Sequence, residues 1–254
     1  MKNDRGKEPR RLVAGSSKIA EFHDRLIIFD MDGVIIKTSH LHEAAWHSIA
    51  KKYGYPWNQQ LNFAKDVFGT ASPDSARILF PGYISHDAMP QICQEKAHIY
   101  EQILREQILN NIEVPGFRSF FDAICEAGIP VALATSSPKS EANFVLDRLG
   151  VLEKFNAVID VSQVSKPKPD PEIYLTAAAT VGFAPEECLG VEDSLTGIEA
   201  INQAKMKCVV VGTTLTQERL SRTSLRYDLY IPDFQLVSLG ELSLLFSLLK
   251  GDNQ

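Results

Sequence analysis

The chain has 254 residues, 44% of them hydrophobic and 23% charged, with a formal net charge of −6. That balance supports one large domain or two smaller ones and excludes the basic surface that general binding to nucleic acid or anionic membrane requires. Any anion site must be a local concentration of donors. Cys93, Cys125, Cys188 and Cys208 stand singly, without a C-x-x-C pair. This argues against a zinc knuckle, a redox pair or a disulfide scaffold, and fits a reducing cytoplasm. No apolar run approaches the roughly 18 residues of a membrane span, and no apolar core of a secretory signal is present near the N-terminus.

Residues 1–24 are polar and mostly basic, without helical or strand periodicity, and read as a disordered tail. The Arg and Ser content would also permit an organellar transit peptide, which Asp4, Glu8 and Glu21 oppose. The stretch LIIFDMDGVIIKTSHLHEAAW follows, starting at Leu26. Its apolar run reads as a buried strand ending in Asp30 and Asp32, which a period of two sends to the same side. Two carboxylates there lose hydration and repel unless a cation offsets them.

Residues 38–112 have helical spacing throughout, with Ser72 as N-cap and Pro73 in a first turn, and no strand intervenes. They read as a helical insertion. From residue 116 onward, short Val-, Ile- and Leu-rich runs alternate with helices: PVALATSS, NAVIDVS, ECLGVEDS, MKCVVVG and YDLYIPD. Ser137-Pro138 reads as the start of one helix that Gly150 closes, and Asp170-Pro171 and Gly182 bracket the next. The expected architecture is α/β, a Rossmann-like parallel sheet with helices on both faces. Its core is discontinuous, 25–37 and 113–250, around an α-helical second domain.

Ligands of parallel α/β sheets bind beyond the carboxyl ends of the strands. Four such ends carry suitable groups: Asp30 and Asp32, Thr135 and Ser136, Lys166 in VSKPKPD, and Glu192 and Asp193 in GVEDS. Singly, each has a plain structural reading as a helix cap, a first-turn acid or a solvated loop lysine. Together they make one site. Clustered carboxylates suit a hard divalent cation such as Mg²⁺, while Thr135 and Lys166 suit a phosphate. The inventory fits phosphoryl transfer, with Asp30 attacking phosphorus and Asp32 moving the proton of the leaving and entering oxygens.

These motifs, D-x-D-G-V at 30–34, Thr135, Lys166 in SKPKPD and GVEDS at 190–194, resemble the four ordered motifs of the haloacid dehalogenase (HAD) superfamily. The resemblance implies a helical cap inserted after the first strand. It also implies Asp30 as nucleophile, Asp32 as general acid/base, Thr135 and Lys166 as phosphate binders, and Glu192 and Asp193 as the acidic metal motif. The Asp32 backbone carbonyl would complete the protein's share of the Mg²⁺ shell. The stretch from Asp32 to Trp46 is similar to the β-phosphoglucomutase-like branch, which includes sugar-phosphate phosphatases. That similarity implies substrate-facing roles for Thr38, His42, Trp46, Gly69 and Lys96, with Arg77 close by. The mutase pattern carries Lys before the cap Gly and Arg three residues after it, where this chain has Phe68 and Ser72. The expectation is therefore a phosphatase of a small phosphorylated metabolite, with a mutase as the alternative. A dehalogenase is opposed by Asp32, because a halide leaving group needs no proton. A non-catalytic binding protein of the same fold would normally have lost one of the catalytic groups.

Overall fold

The computed structural model describes residues 24–70, 72–107, 112–235 and 237. The tail expected at 1–24 lies, but for Asp24, outside the described residues, as do 108–111 of the insertion and 238–250 of the core. Six strands form one parallel sheet: β1 (Leu26–Phe29), β2 (Val131–Ala134), β3 (Ala157–Ile159), β4 (Cys188–Glu192), β5 (Lys207–Val211) and β6 (Leu229–Ile231), in the order β3-β2-β1-β4-β5-β6. Phe29 lies opposite both Leu133 and Val191, so β1 is central and the strand order reverses on either side of it. The crevice for a ligand opens at that reversal.

Both sheet faces are covered, which is why the strands read as unbroken apolar runs. Ile27 and Phe29 point into one core with α5 (Phe117–Glu126) and α6 (Lys139–Arg148), where Phe29 meets Phe117 and Phe121 edge-on at 6.0 and 5.9 Å. Leu26 and Ile28 point into the other with α7 (Glu172–Val181) and α8 (Leu195–Gln203). Asp170 Oδ1 accepts from the Glu172 N–H at 3.0 Å and Gly182 is the C-cap of α7, as the sequence suggested. A short α9 (Gln217–Leu220) follows β5.

Between β1 and β2 the chain runs through α1 (Ser39–Tyr53), α2 (Phe63–Asp66), α3 (Ser72–Leu79) and α4 (Met89–Gln107). These helices gather a third apolar cluster of their own, including Trp46, Ile49, Val67, Leu79, Phe80 and Ile92. The outgoing and returning chains pair by backbone: Lys37 N–H donates to Ile112 O at 2.7 Å and Val114 N–H to Ile35 O at 2.9 Å. The helical unit is thus tethered at one point beside the carboxyl end of β1. Among the described residues no helix is long and apolar enough to cross a membrane.

Candidate active site

The carboxyl ends of β1, β2 and β4 face a cleft of about 310 Å³ whose opposite wall is the helical unit. β1 ends at Phe29, and the Asp30 N–H donates to Val191 O at 3.0 Å, which holds Asp30 beside β4. Glu192 and Asp193 come from the end of β4. Asp30, Glu192 and Asp193 each offer a carboxylate oxygen, and the three oxygens lie within 4.8 Å of one another, all buried. Gly33 makes this possible. Its φ is +82°, and a Cβ there would lie 1.8 Å from Asp193 Oδ2.

One cation is built into this cluster. Lys168 Nζ donates to Asp30 Oδ1 and to Glu192 Oε1, both at 2.7 Å, and to Ala134 O at 3.0 Å. The sequence pointed to Lys166 instead, and the structure corrects it. The Lys166 side chain is 72% exposed and pairs only loosely with Asp170 at 3.5 Å, whereas the Lys168 side chain is 5% exposed. Both lysines precede a proline in SKPKPD, and nothing local separates them. Tyr174, which sequence reasoning missed, donates its hydroxyl to Glu192 Oε1 at 3.0 Å. Glu192 Oε2 accepts from Ser194 N–H at 3.0 Å and Ser194 Oγ at 2.9 Å, while Ser194 also caps α8.

Electrostatics set these acids apart. Burial is the largest influence on Asp30; Lys168 opposes it, and with the charges of Glu192 and Asp32 added the carboxyl is pushed up to about 7. Burial would raise Glu192 too, but Lys168 and the Ser194 donors outweigh it and hold the group low. Asp193 is held well above the ordinary range by burial and by Glu192 and Asp30, although Thr214 donates to it. Three buried carboxyls share one lysine and would carry an excess of negative charge if all were ionised, and this all-oxygen donor set fits a hard divalent cation.

Asp32 does not share that cluster. The expectation that both carboxylates face one side gives way to a turn at residues 31–36, where the Gly33, Val34, Ile35 and Ile36 amides bond locally. The turn swings the Asp32 carboxylate toward the cap. Its Oδ1 accepts from Thr38 Oγ1 at 2.6 Å and Tyr100 OH at 3.2 Å, and its Oδ2 from Ser137 Oγ at 2.9 Å. Burial raises this acid, but the donors from His42, Thr38 and Ser137 outweigh it and hold it at about 2. His42 Nε2 stands 3.8 Å from Asp32 Oδ1, and its ring is kept neutral, at about 4, by burial and by Lys96. The hydroxyls therefore do most to keep Asp32 ionised. The Asp32 carboxylate is engaged by these donors and lies outside the group of Asp30, Glu192 and Asp193.

The remaining candidates divide. Thr135 is buried and its Oγ1 accepts from Ser137 N–H at 3.0 Å; Ser136 is exposed at the cleft. Ser137, read as a helix cap, makes no cap bond and turns its hydroxyl to Asp32 instead. Lys96 is buried, 2.6 Å from His42 Nδ1 and 4.9 Å from the centre of the Tyr100 ring, which stacks on His42 at 3.9 Å. Trp46 is buried against Phe80 and touches the cleft, serving chiefly as packing. Gly69 lines the cleft, and its carbonyl accepts from Thr196 Oγ1 at 3.1 Å, joining cap to core. Arg77 is not at the site: it pairs with Asp74 at 2.5 Å and lines a separate surface cleft with His86 and Cys93. Tyr100, Ser137 and Glu141 were not anticipated, because each reaches Asp32, directly or through another side chain, from a distant part of the chain.

A central parallel sheet, a helical unit over its switch point and an acid cluster with an embedded lysine define a Rossmann-like α/β protein with a capped acidic site. The chain belongs to the haloacid dehalogenase-like hydrolase family, whose model matches residues 25–205. It is 32% identical to the phosphorylated carbohydrates phosphatase of Thermotoga maritima over 70% of this chain and 80% of that one. It is 30% identical to the β-phosphoglucomutase of Bacillus subtilis over 74% and 83% of the two chains. The crystal structure of β-phosphoglucomutase from Clostridium difficile superposes with a TM-score of 0.72 at 27% identity, covering 88% of this chain and 99% of that one.

Proposed function

We propose that this enzyme is a Mg²⁺-dependent phosphatase of a small phosphorylated metabolite, a sugar phosphate by class, acting through an aspartyl-phosphate on Asp30. In this reading 25–37 and 113–250 form the core and 38–112 the cap. Asp30, Glu192, Asp193 and the Asp32 carbonyl would hold Mg²⁺, which supplies Lewis-acid charge for the phosphoryl oxygens. Asp30 Oδ attacks phosphorus; Lys168, with Thr135 and Ser136 beside it, offsets the charge on the transferring group. Asp32 gives a proton to the leaving oxygen and later takes one from water.

The observation that carries hydrolysis over isomerisation is the cap wall. Phe68 and Ser72 line the cleft where the mutase pattern has cations, and among the described residues Lys96 is the cap's only Lys or Arg lining it. Lys96 is already engaged by His42. A mutase must hold the far phosphate of a bisphosphate, whereas a phosphatase has only to admit water. The test is a panel of sugar phosphates with and without Mg²⁺, read as both free phosphate and isomerised sugar. Phosphate release that needs Mg²⁺ and falls at least about 100-fold in Asp30→Asn is expected. Dominant isomerisation, or near-normal turnover by Asp30→Asn, would overturn the reading.

A further inference from the structure

β5 runs at its carboxyl end into Gly212, Thr213, Thr214 and Leu215, to which the phosphatase reading gives no role. The segment is held at both ends by β6. The Gly212 N–H donates to Ile231 O at 2.7 Å, and the Tyr230 hydroxyl donates to Leu215 O at 3.0 Å. The backbone that carries the two threonines is therefore fixed, and both hydroxyls turn toward the acid cluster.

Thr213 Oγ1 donates to Gly33 O at 2.5 Å, which ties the turn after β1 to the end of β5 across 180 residues of chain. A hydroxyl has one hydrogen, so Thr213, although it stands 3.3 Å from Asp193 Oδ2, has none left to give it. Thr214 supplies that hydrogen bond to Asp193 Oδ2. Gly33 packs against the same oxygen, since a Cβ there would lie 1.8 Å from it. Oδ2 is thus occupied by a donor and crowded by backbone, whereas Asp193 Oδ1 accepts no hydrogen bond among the described residues. Asp30 is restricted in a similar way, its Oδ1 being held by Lys168 Nζ at 2.7 Å.

We propose that Thr214 is a positioning residue that makes Asp193 a one-oxygen ligand, and so sets a preference for Mg²⁺ over Ca²⁺. The inference rests on the reading that Asp30, Glu192 and Asp193 hold a divalent cation, and deepens it. Mg²⁺ is small and demands near-octahedral geometry, which a carboxylate gripping through both oxygens distorts. Ca²⁺ is larger, takes more oxygens and accepts a carboxylate through one oxygen or both. A carboxylate whose Oδ2 is spent on a hydroxyl offers Oδ1 alone. That suits the smaller ion and denies the larger one a ligand atom.

The test is calorimetric titration of the whole chain with MgCl₂ and with CaCl₂, without substrate. Thr214→Val keeps the shape of the side chain and removes the donor, so the carboxylate can turn both oxygens to the ion. Its affinity for Mg²⁺ should fall at least about 10-fold. Its affinity for Ca²⁺ should fall less or rise, so the ratio of the two moves toward Ca²⁺. Thr214→Ala, smaller and equally without a donor, should show the same shift, and Thr214→Ser, which keeps the hydroxyl, should keep the wild-type ratio. Equal losses for both cations in Thr214→Val and Thr214→Ala would mark a merely structural role and overturn this inference alone. A wild type that binds neither cation overturns the Mg²⁺-dependent reading with it.

Discussion

Asp30 and Asp32 lie two residues apart and live in opposite surroundings. Asp30 faces inward to the sheet, among other acids and one lysine, and its carboxyl rises to about 7. Asp32 faces the cap, among hydroxyls, and falls to about 2. The contrast comes from the turn at 31–36, which sends consecutive side chains to different walls of one cleft. It teaches how one short segment supplies two environments: an acid cluster whose oxygens fit a cation, and a separate carboxylate kept ionised by hydroxyl donors.

The largest effect expected from breaking the contrast is on the Asp30 side. Lys168→Ala should cut phosphate release by about 100-fold or more, since it removes the bridge to both Asp30 and Glu192 and leaves two buried acids without their partner. Lys166→Ala should stay within about 2-fold, and steady-state kinetics of the pair would decide between the lysines. Next is Gly33→Ala. A Cβ would collide with Asp193 Oδ2 in a left-handed backbone, so divalent-cation affinity, measured by calorimetry, should weaken about 10- to 100-fold.

On the Asp32 side the effects are smaller because the donors are several. Tyr100→Phe removes one hydroxyl at 3.2 Å and leaves Thr38 and Ser137 in place, so turnover should fall by about 3- to 10-fold with the fold intact by circular dichroism. The smallest effect is on stability. Glu141 is raised in the folded state, so the unfolded chain ionises first as pH climbs, and folding loses stability from about pH 4.5 to about pH 8. Glu141→Gln has no such loss. Its melting temperature relative to wild type should therefore shift in its favour between pH 5 and pH 8, by the equivalent of about 1–3 kcal/mol. A difference that does not vary with pH would contradict an elevated Glu141.

Much was legible in the chain because it is written locally. The apolar runs at Leu26–Phe29 and Cys188–Glu192, the proline and glycine at the ends of α7, and the helical spacing of 38–107 each follow from short-range chemistry. So does the gathering of Asp30, Thr135, Glu192 and Asp193 at strand ends, since a parallel sheet with right-handed crossovers leaves them nowhere else to go.

What the tertiary structure decided is the direction in which each side chain faces. Lys166 and Lys168 are equivalent as sequence, and only the packing of the proline-rich turn against β1 and β4 buries one and exposes the other. Asp32 lost its expected place beside Asp30 because backbone bonding in the following turn outweighs simple strand alternation. Ser137 left its helix to bond Asp32, Arg77 turned to Asp74, and Glu141 met Asp32 through that serine across 109 residues of chain. Composition and spacing determine which groups are available and which strand ends carry them. Partners brought together from distant segments, and the burial they share, determine what each group does.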